Sequence, residues 1–242
     1  MKEYVIAIDL GTSRTAYSWK SVADPDPQVG VPDKGREEVI TRKSPTTLLI
    51  GGKTGARKAF TPCAAEAYGN VAESRYAEGN IPLGAQLFKR FKMQLHDGPS
   101  QIISDDLING VAKSASKSAE MMLLEVFVMA LKYIKDAALS MISSRSTDVK
   151  VEDVTWVLTV PVCCSDPAKH FMRQAAIQGG LIKGGDDDEV LLLLPKHFHT
   201  WDFPRVVLIR VHSGVCPTLI DWIECHLRVC RCWLHTSDRN NE

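Results

Sequence analysis

The chain has 242 residues, 45% of them hydrophobic and 24% charged, with 29 basic side chains balanced by 29 acidic ones. A formal charge of zero gives no electrostatic reason to expect nucleic acid or an acidic membrane surface. No apolar run approaches the roughly 20 residues needed to span a bilayer, and the start, Met1-Lys2-Glu3, leads directly into a predicted strand. These features point to a cytoplasmic globular protein with one large domain or two small ones, whose seven cysteines are mostly reduced.

Residues 3–20 read as a β-hairpin. An apolar strand ends in Asp9, and the turn Gly11-Thr12-Ser13 sends the chain back. Glycine lets the backbone approach a ligand closely, and its N–H together with two hydroxyls would face whatever sits above the turn. The aspartate at the strand end suits a hydrated magnesium ion beside a polyphosphate. Residues 21–37 follow as a Pro/Asp/Gly-rich loop.

Thr46–Ile50 reads as a short apolar strand closed by Gly51-Gly52, and Thr61–Glu78, rich in small residues, as a helix with Pro62 in its first turn. Gly51-Gly52-Lys53-Thr54 is not a P-loop, because Thr47 stands where that motif needs its first glycine. From about 114 to 143, Ala119, Met122, Leu123, Val126, Phe127, Ala130, Ile134, Ala138, Met141 and Ile142 recur at three- and four-residue spacing, the stripe of one long helix. Val154–Val162 reads as a buried strand. Asp166 with Pro167 then starts a helix that runs to Gly179-Gly180. Strands come first in pairs and later alternate with helices, which predicts an α/β architecture with a mixed sheet.

After Pro195 the text changes. Trp201, Trp222 and Trp233 fall in the last stretch with Cys216, Cys225, Cys230 and Cys232. The spacing of Cys225-His226, Cys230, Cys232 and His235 fits no zinc-finger pattern. Pro217–Leu234 could form an amphipathic helix, and the tail as a whole is expected to order poorly.

Four segments carry a resemblance in the right order: Ile8-Asp9-Leu10-Gly11-Thr12-Ser13; Leu87-Phe88-Lys89-Arg90-Phe91-Lys92-Met93; the helix with Glu125 to Ile134; and Trp156 to Val162 followed by Ser165 to Ile177. Over residues 4 to about 182 the chain resembles the 70 kDa heat-shock protein ATPases of the actin and sugar-kinase superfamily, and among them the divergent animal branch called heat shock 70 kDa protein 12. The resemblance implies the first lobe of an actin-like, ribonuclease H-like nucleotide-binding domain over residues 1–195, with ATP and Mg as cofactors. It makes Asp9 the residue that orients hydrated Mg, and Gly11, Thr12 and Ser13 the first phosphate loop. Lys89 would be the catalytic lysine that reaches the γ-phosphate, and Pro161 with Lys169 an interdomain switch.

The departures limit what the resemblance implies. Leu194 stands where the pattern expects a metal-supporting glutamate before a proline, and the second phosphate loop and adenosine-binding segment do not follow. The expectation is therefore a truncated, ATP-binding, chaperone-type protein with weak or no ATP hydrolysis. Its partners would be ATP and other proteins, either clients or a full-length relative, with no nucleic acid and no membrane. The alternative is a non-catalytic interaction fragment with a vestigial nucleotide site. Residues 196–242 are what an altered reading frame, a retained intron or an alternative exon would leave.

Overall fold

The computed structural model describes residues 3–21, 28–33, 43–95, 110–145, 149–160 and 166–183 in full, together with the backbone of 191–195. The predicted hairpin forms: β1 (Tyr4–Leu10) and β2 (Arg14–Ser21) pair antiparallel from Tyr4 opposite Ser21 to Leu10 opposite Thr15. Within the predicted loop after it, β3 (Gln28–Gly30) returns to pair with β2. Gly30 has a specific reason to be there, since a Cβ on it would lie 2.5 Å from the ring of the buried Tyr17.

β4 (Ser44–Pro45) also pairs with β2. β5 (Thr47–Thr54) does not stop at Gly51-Gly52, as expected from the sequence, but runs through both glycines. A side chain at Gly52 would collide with the Thr61 carbonyl, 2.4 Å away, and with the Phe60 ring, so the glycine admits its neighbour strand instead of ending its own.

That neighbour is a second correction. The predicted helix over Thr61–Glu78 is a strand for its first half, β6 (Phe60–Tyr68), and a helix only over α1 (Gly69–Ala77). Cys63-Ala64-Ala65-Glu66-Ala67 has helix-forming composition, yet its backbone bonds to β5, and pairing of this kind overrides propensity. Pro62 sits at a register shift between Gly51 and Gly52, where a missing N–H is tolerated. The strand turns into the helix at Gly69, which has φ +61°. The Asp33 carboxylate accepts the Asn70 N–H at 3.0 Å and so caps α1 from 37 residues upstream.

β7 (Gln86–Lys89) completes the small antiparallel sheet in the order β6-β5-β7, and a 3-10 turn follows at Phe91–Leu95. The long predicted helix begins later than its stripe suggests. Residues before Leu123 form a hairpin of β8 (Val111–Lys113) and β9 (Glu120–Met122), in which Ala112 faces Met121. Ala119, just before β9, and Met121 within it are buried from this hairpin rather than from a helix, while Met122 is exposed.

α2 (Leu123–Ser143) then buries Leu123, Val126, Phe127, Ala130, Ile134, Ala138 and Ile142 along one face. β10 (Val154–Val160) lies parallel to β1, α3 (Asp166–Gln178) follows, and β11 (Leu191–Pro195) lies parallel to β10. The large sheet therefore runs β11-β10-β1-β2-β3, with β4 against β2. A mixed α/β fold with a mixed sheet is what the sequence predicted.

The core lies between this sheet and the helices. Phe127 of α2 meets Phe91 edge-on with centroids 5.1 Å apart, and meets Phe171 of α3 at the same distance. Lys135 of α2 donates to the carbonyls of Gly179 and Gly180 at 3.0 and 3.3 Å, placing a cation at the carboxyl end of α3. Pro161, the predicted helix at 217–234 and the whole predicted tail lie outside the described residues.

Candidate functional site

Two parallel strands end side by side. Ile8 of β1 stands next to Leu158 of β10, so Asp9 and Thr159, one residue further on, emerge together at the carboxyl end of the sheet. In open α/β sheets this end is where ligands gather. The Thr159 hydroxyl donates to Asp9 Oδ1 at 2.8 Å, and Lys43 Nζ donates to Asp9 Oδ2 at 2.8 Å. An ionised carboxylate has about four lone-pair sites, so a group of this kind can also accept from a metal-bound water.

The Gly11-Thr12-Ser13 turn lies beside Asp9 and is held from below. Thr46, buried between β4 and β5, donates its N–H to the Ser13 carbonyl at 2.9 Å and its hydroxyl to the Gly11 carbonyl at 2.7 Å. The Gly11 N–H does not face a ligand as the sequence suggested. It donates to the Arg14 carbonyl at 3.0 Å and closes the turn. Thr12 is half-buried and Ser13 exposed, so the open side of the turn is formed by these two.

Lys89 ends β7, is 44% exposed, and forms an ion pair with Glu73 of α1 at 3.0 Å. The lysine that reaches the turn is Lys92. Its side chain is 1% exposed, and its ammonium donates to the carbonyl of Leu10 and, at 3.5 Å, to that of Thr159. It therefore joins the ends of β1 and β10 from the 3-10 turn after β7. Phe91, buried beside it against Phe127, anchors that turn in the core.

Asp9, Gly11, Thr12 and Ser13 are thus brought to one place. Lys169 lies on the first turn of α3, where it bonds to Asp166 at 2.8 Å, and this bond holds the exposed Asp166 carboxyl below its ordinary range. Sequence reasoning missed Lys92, Thr159, Lys43 and Thr46. Only Lys92 carried a signal, a lysine set between Phe91 and Met93 where a solvated cation has no need of apolar neighbours.

A resident metal cage is not built here: among the described residues, no three His, Cys, Asp or Glu side chains come together. One carboxylate at a strand end instead suits Mg that keeps most of its waters and takes its other ligands from phosphate. On the next strand, the residue beside Thr159 is Leu194, so β11 brings no acid to that level.

No protein-family model matches the chain. Over 196 residues, 78% of the chain, it is 31% identical to heat shock 70 kDa protein 12A of Mus musculus and to the Homo sapiens protein of that name. It is 30% identical over 195 residues to human heat shock 70 kDa protein 12B. The chain spans only about a quarter of the length of these curated relatives, 27% for the 12A proteins and 26% for 12B. Over that stretch the chain resembles these 70 kDa heat-shock proteins. Among the described residues, no helix is long and apolar enough to cross a membrane.

Proposed function

We propose that residues 1–195 are the first lobe of an actin-like, ribonuclease H-like ATPase fold and bind ATP with Mg at the carboxyl ends of β1 and β10. One observation carries the reading: Asp9, the hairpin turn and the buried ammonium of Lys92 converge at two parallel strand ends. The strand order β11-β10-β1-β2-β3, antiparallel on one side of β1 and parallel on the other, supports the fold assignment, as do the heat-shock relatives.

In this reading Asp9 orients the waters of Mg, which when bound neutralises phosphate charge. Thr12 and Ser13 receive phosphate oxygens on a turn shaped by Gly11. The resemblance puts Lys89 in the cationic role, but the geometry favours Lys92, a compact charge fixed where phosphoryl charge would develop. Pro161 and Lys169 would relay nucleotide state to a partner surface, making the protein chaperone-like in type.

Hydrolysis needs an aligned water and contacts on both sides of the phosphates. Leu194 offers neither charge nor a proton acceptor at the level of Thr159, so these residues alone are expected to bind nucleotide with slow or no turnover. Exposed apolar side chains favour a second reading, protein interaction without catalysis: Val111 and Met122 stand opposite each other on the β8–β9 hairpin, and Leu83 is fully exposed.

Calorimetric titration with ATP and Mg, with and without EDTA, tests the first reading. Micromolar, Mg-dependent affinity that Asp9→Ala abolishes is the expected result. A folded sample that gives no heat would leave the interaction reading in the lead.

A further inference from the structure

Beneath the candidate phosphate turn lies a chain of three buried hydroxyls whose direction can be deduced. The Thr46 hydroxyl donates its hydrogen to the Gly11 carbonyl. Thr15 Oγ1 is 2.8 Å from Thr46 Oγ1, and because Thr46 has no second hydrogen, Thr15 must be the donor. Tyr68 OH is 2.8 Å from Thr15 Oγ1, and by the same count Tyr68 must donate to Thr15. The hydrogens therefore all run one way, from Tyr68 through Thr15 and Thr46 to Gly11.

Each member is held by structure outside the turn. Thr15 and Thr46 are 0% and 1% exposed, and Tyr68 is fully buried with its ring stacked on Tyr133 of α2, centroids 5.9 Å apart. Burial, despite the hydrogen bonds to Thr15 and Thr46, raises the Tyr68 phenol well above its ordinary range.

The end of the chain matters because peptide groups are planar and trans, with C=O and N–H on opposite sides. No peptide bond among the described residues is cis. A Gly11 carbonyl drawn inward by Thr46 turns the Thr12 N–H of the same peptide outward, over the open side of the turn. No group among the described residues takes that N–H.

We propose that Tyr68, Thr15 and Thr46 are positioning residues that fix the Gly11–Thr12 peptide with its N–H presented to a phosphate oxygen. They touch no ligand and act through the Gly11 carbonyl. The proposal rests on the nucleotide-binding reading above and adds to it where the turn's preorganisation comes from. A donor aimed before the ligand arrives needs no reorganisation on binding.

The test uses the whole chain, with ATP and Mg as the probe. Thr46→Val keeps shape and removes the final donor; Thr46→Ser restores it; Tyr68→Phe removes the first. Thr46→Val is expected to weaken affinity by about tenfold and Thr46→Ser to recover most of it, with Tyr68→Phe costing about threefold, the range of one hydrogen bond. In the unsubstituted protein, the Thr12 amide proton resonance should move downfield when nucleotide is added. If unsubstituted protein binds nucleotide but folded Thr46→Val binds it equally well, the positioning role is overturned and the nucleotide reading stands. A Thr12 amide that does not respond to bound nucleotide overturns it too, even if Thr46→Val fails to fold. If the unsubstituted protein does not bind nucleotide, both fall.

Discussion

The Thr159 hydroxyl donates to the Asp9 carboxylate at 2.8 Å across 150 residues of sequence, and that bond sets the two strand ends of the candidate site at one level. Asp9→Asn should lower Mg-dependent ATP affinity by about tenfold or more, because a neutral amide orders metal-bound water poorly. Thr159→Val should cost about 1 kcal/mol of stability as one buried hydrogen bond is lost, with a smaller effect on affinity. Calorimetry and urea unfolding of both variants separate the two roles, and equal affinity losses would argue against the division.

Lys92 and Lys89 are three residues apart and differ in surroundings more than in chemistry. Lys92→Met replaces the buried ammonium with an apolar chain of similar volume and takes its hydrogen bonds from the Leu10 and Thr159 carbonyls, so it should destabilise by about 1–3 kcal/mol. It should weaken ATP binding by about tenfold through loss of a fixed positive charge. Lys89→Met removes a half-exposed pair with Glu73 and should change stability by no more than about 1 kcal/mol. Titrations that show the larger loss for Lys89→Met would return the cationic role to that residue.

Gly69 joins β6 to α1 with φ +61°, and a Cβ added to it would lie 1.7 Å from Ser44 Oγ and 2.8 Å from an Asp33 oxygen. Gly69→Ala should destabilise by more than about 1 kcal/mol, since both the backbone and the space oppose it. A lowered urea midpoint would be the sign, and an unchanged one would mean that β4 and the Asp33 cap shift freely.

Tyr17 is buried with no hydrogen-bond partner for its hydroxyl among the described residues, and burial, partly opposed by Arg145, pushes its phenol up to about 12 from 10.0. In the unfolded chain the group ionises near its ordinary value, so between about pH 10 and 12 the unfolded state has lost a proton that the folded state retains. Stability should fall with rising pH through that window and be fully retained below it. Tyr17→Phe should flatten the fall and cost little at neutral pH, because an unpartnered buried hydroxyl is itself unfavourable. Urea midpoints at pH 8 and pH 11 for both proteins provide the comparison.

What the sequence made legible was periodic or terminal. The β1–β2 hairpin could be read because Asp9 and Gly11 punctuate an apolar run, and the body of α2 because its stripe continues from Leu123 to Ile142. β6 was hidden because Ala64, Ala65 and Ala67 favour a helix in isolation, and only their pairing with β5 makes them a strand. The β8–β9 hairpin was hidden because Ala119 and Met122 happen to extend the helical spacing of α2. Asp9 and the turn were legible as a local motif, whereas Thr159 joins the site through strand order and Lys92 through a 3-10 turn that buries its stem. No spacing rule reports either.

β1 is synthesised before β10, which covers one of its edges and comes about 150 residues later. At typical elongation rates that interval is on the order of ten seconds or more. Until it ends, a strand bearing Ile6, Ile8 and Leu10 lacks the partner that β10 later supplies to one edge, and open strand edges attract other strands. Vectorial synthesis therefore delays closure of that edge until Val154 to Val160 arrive.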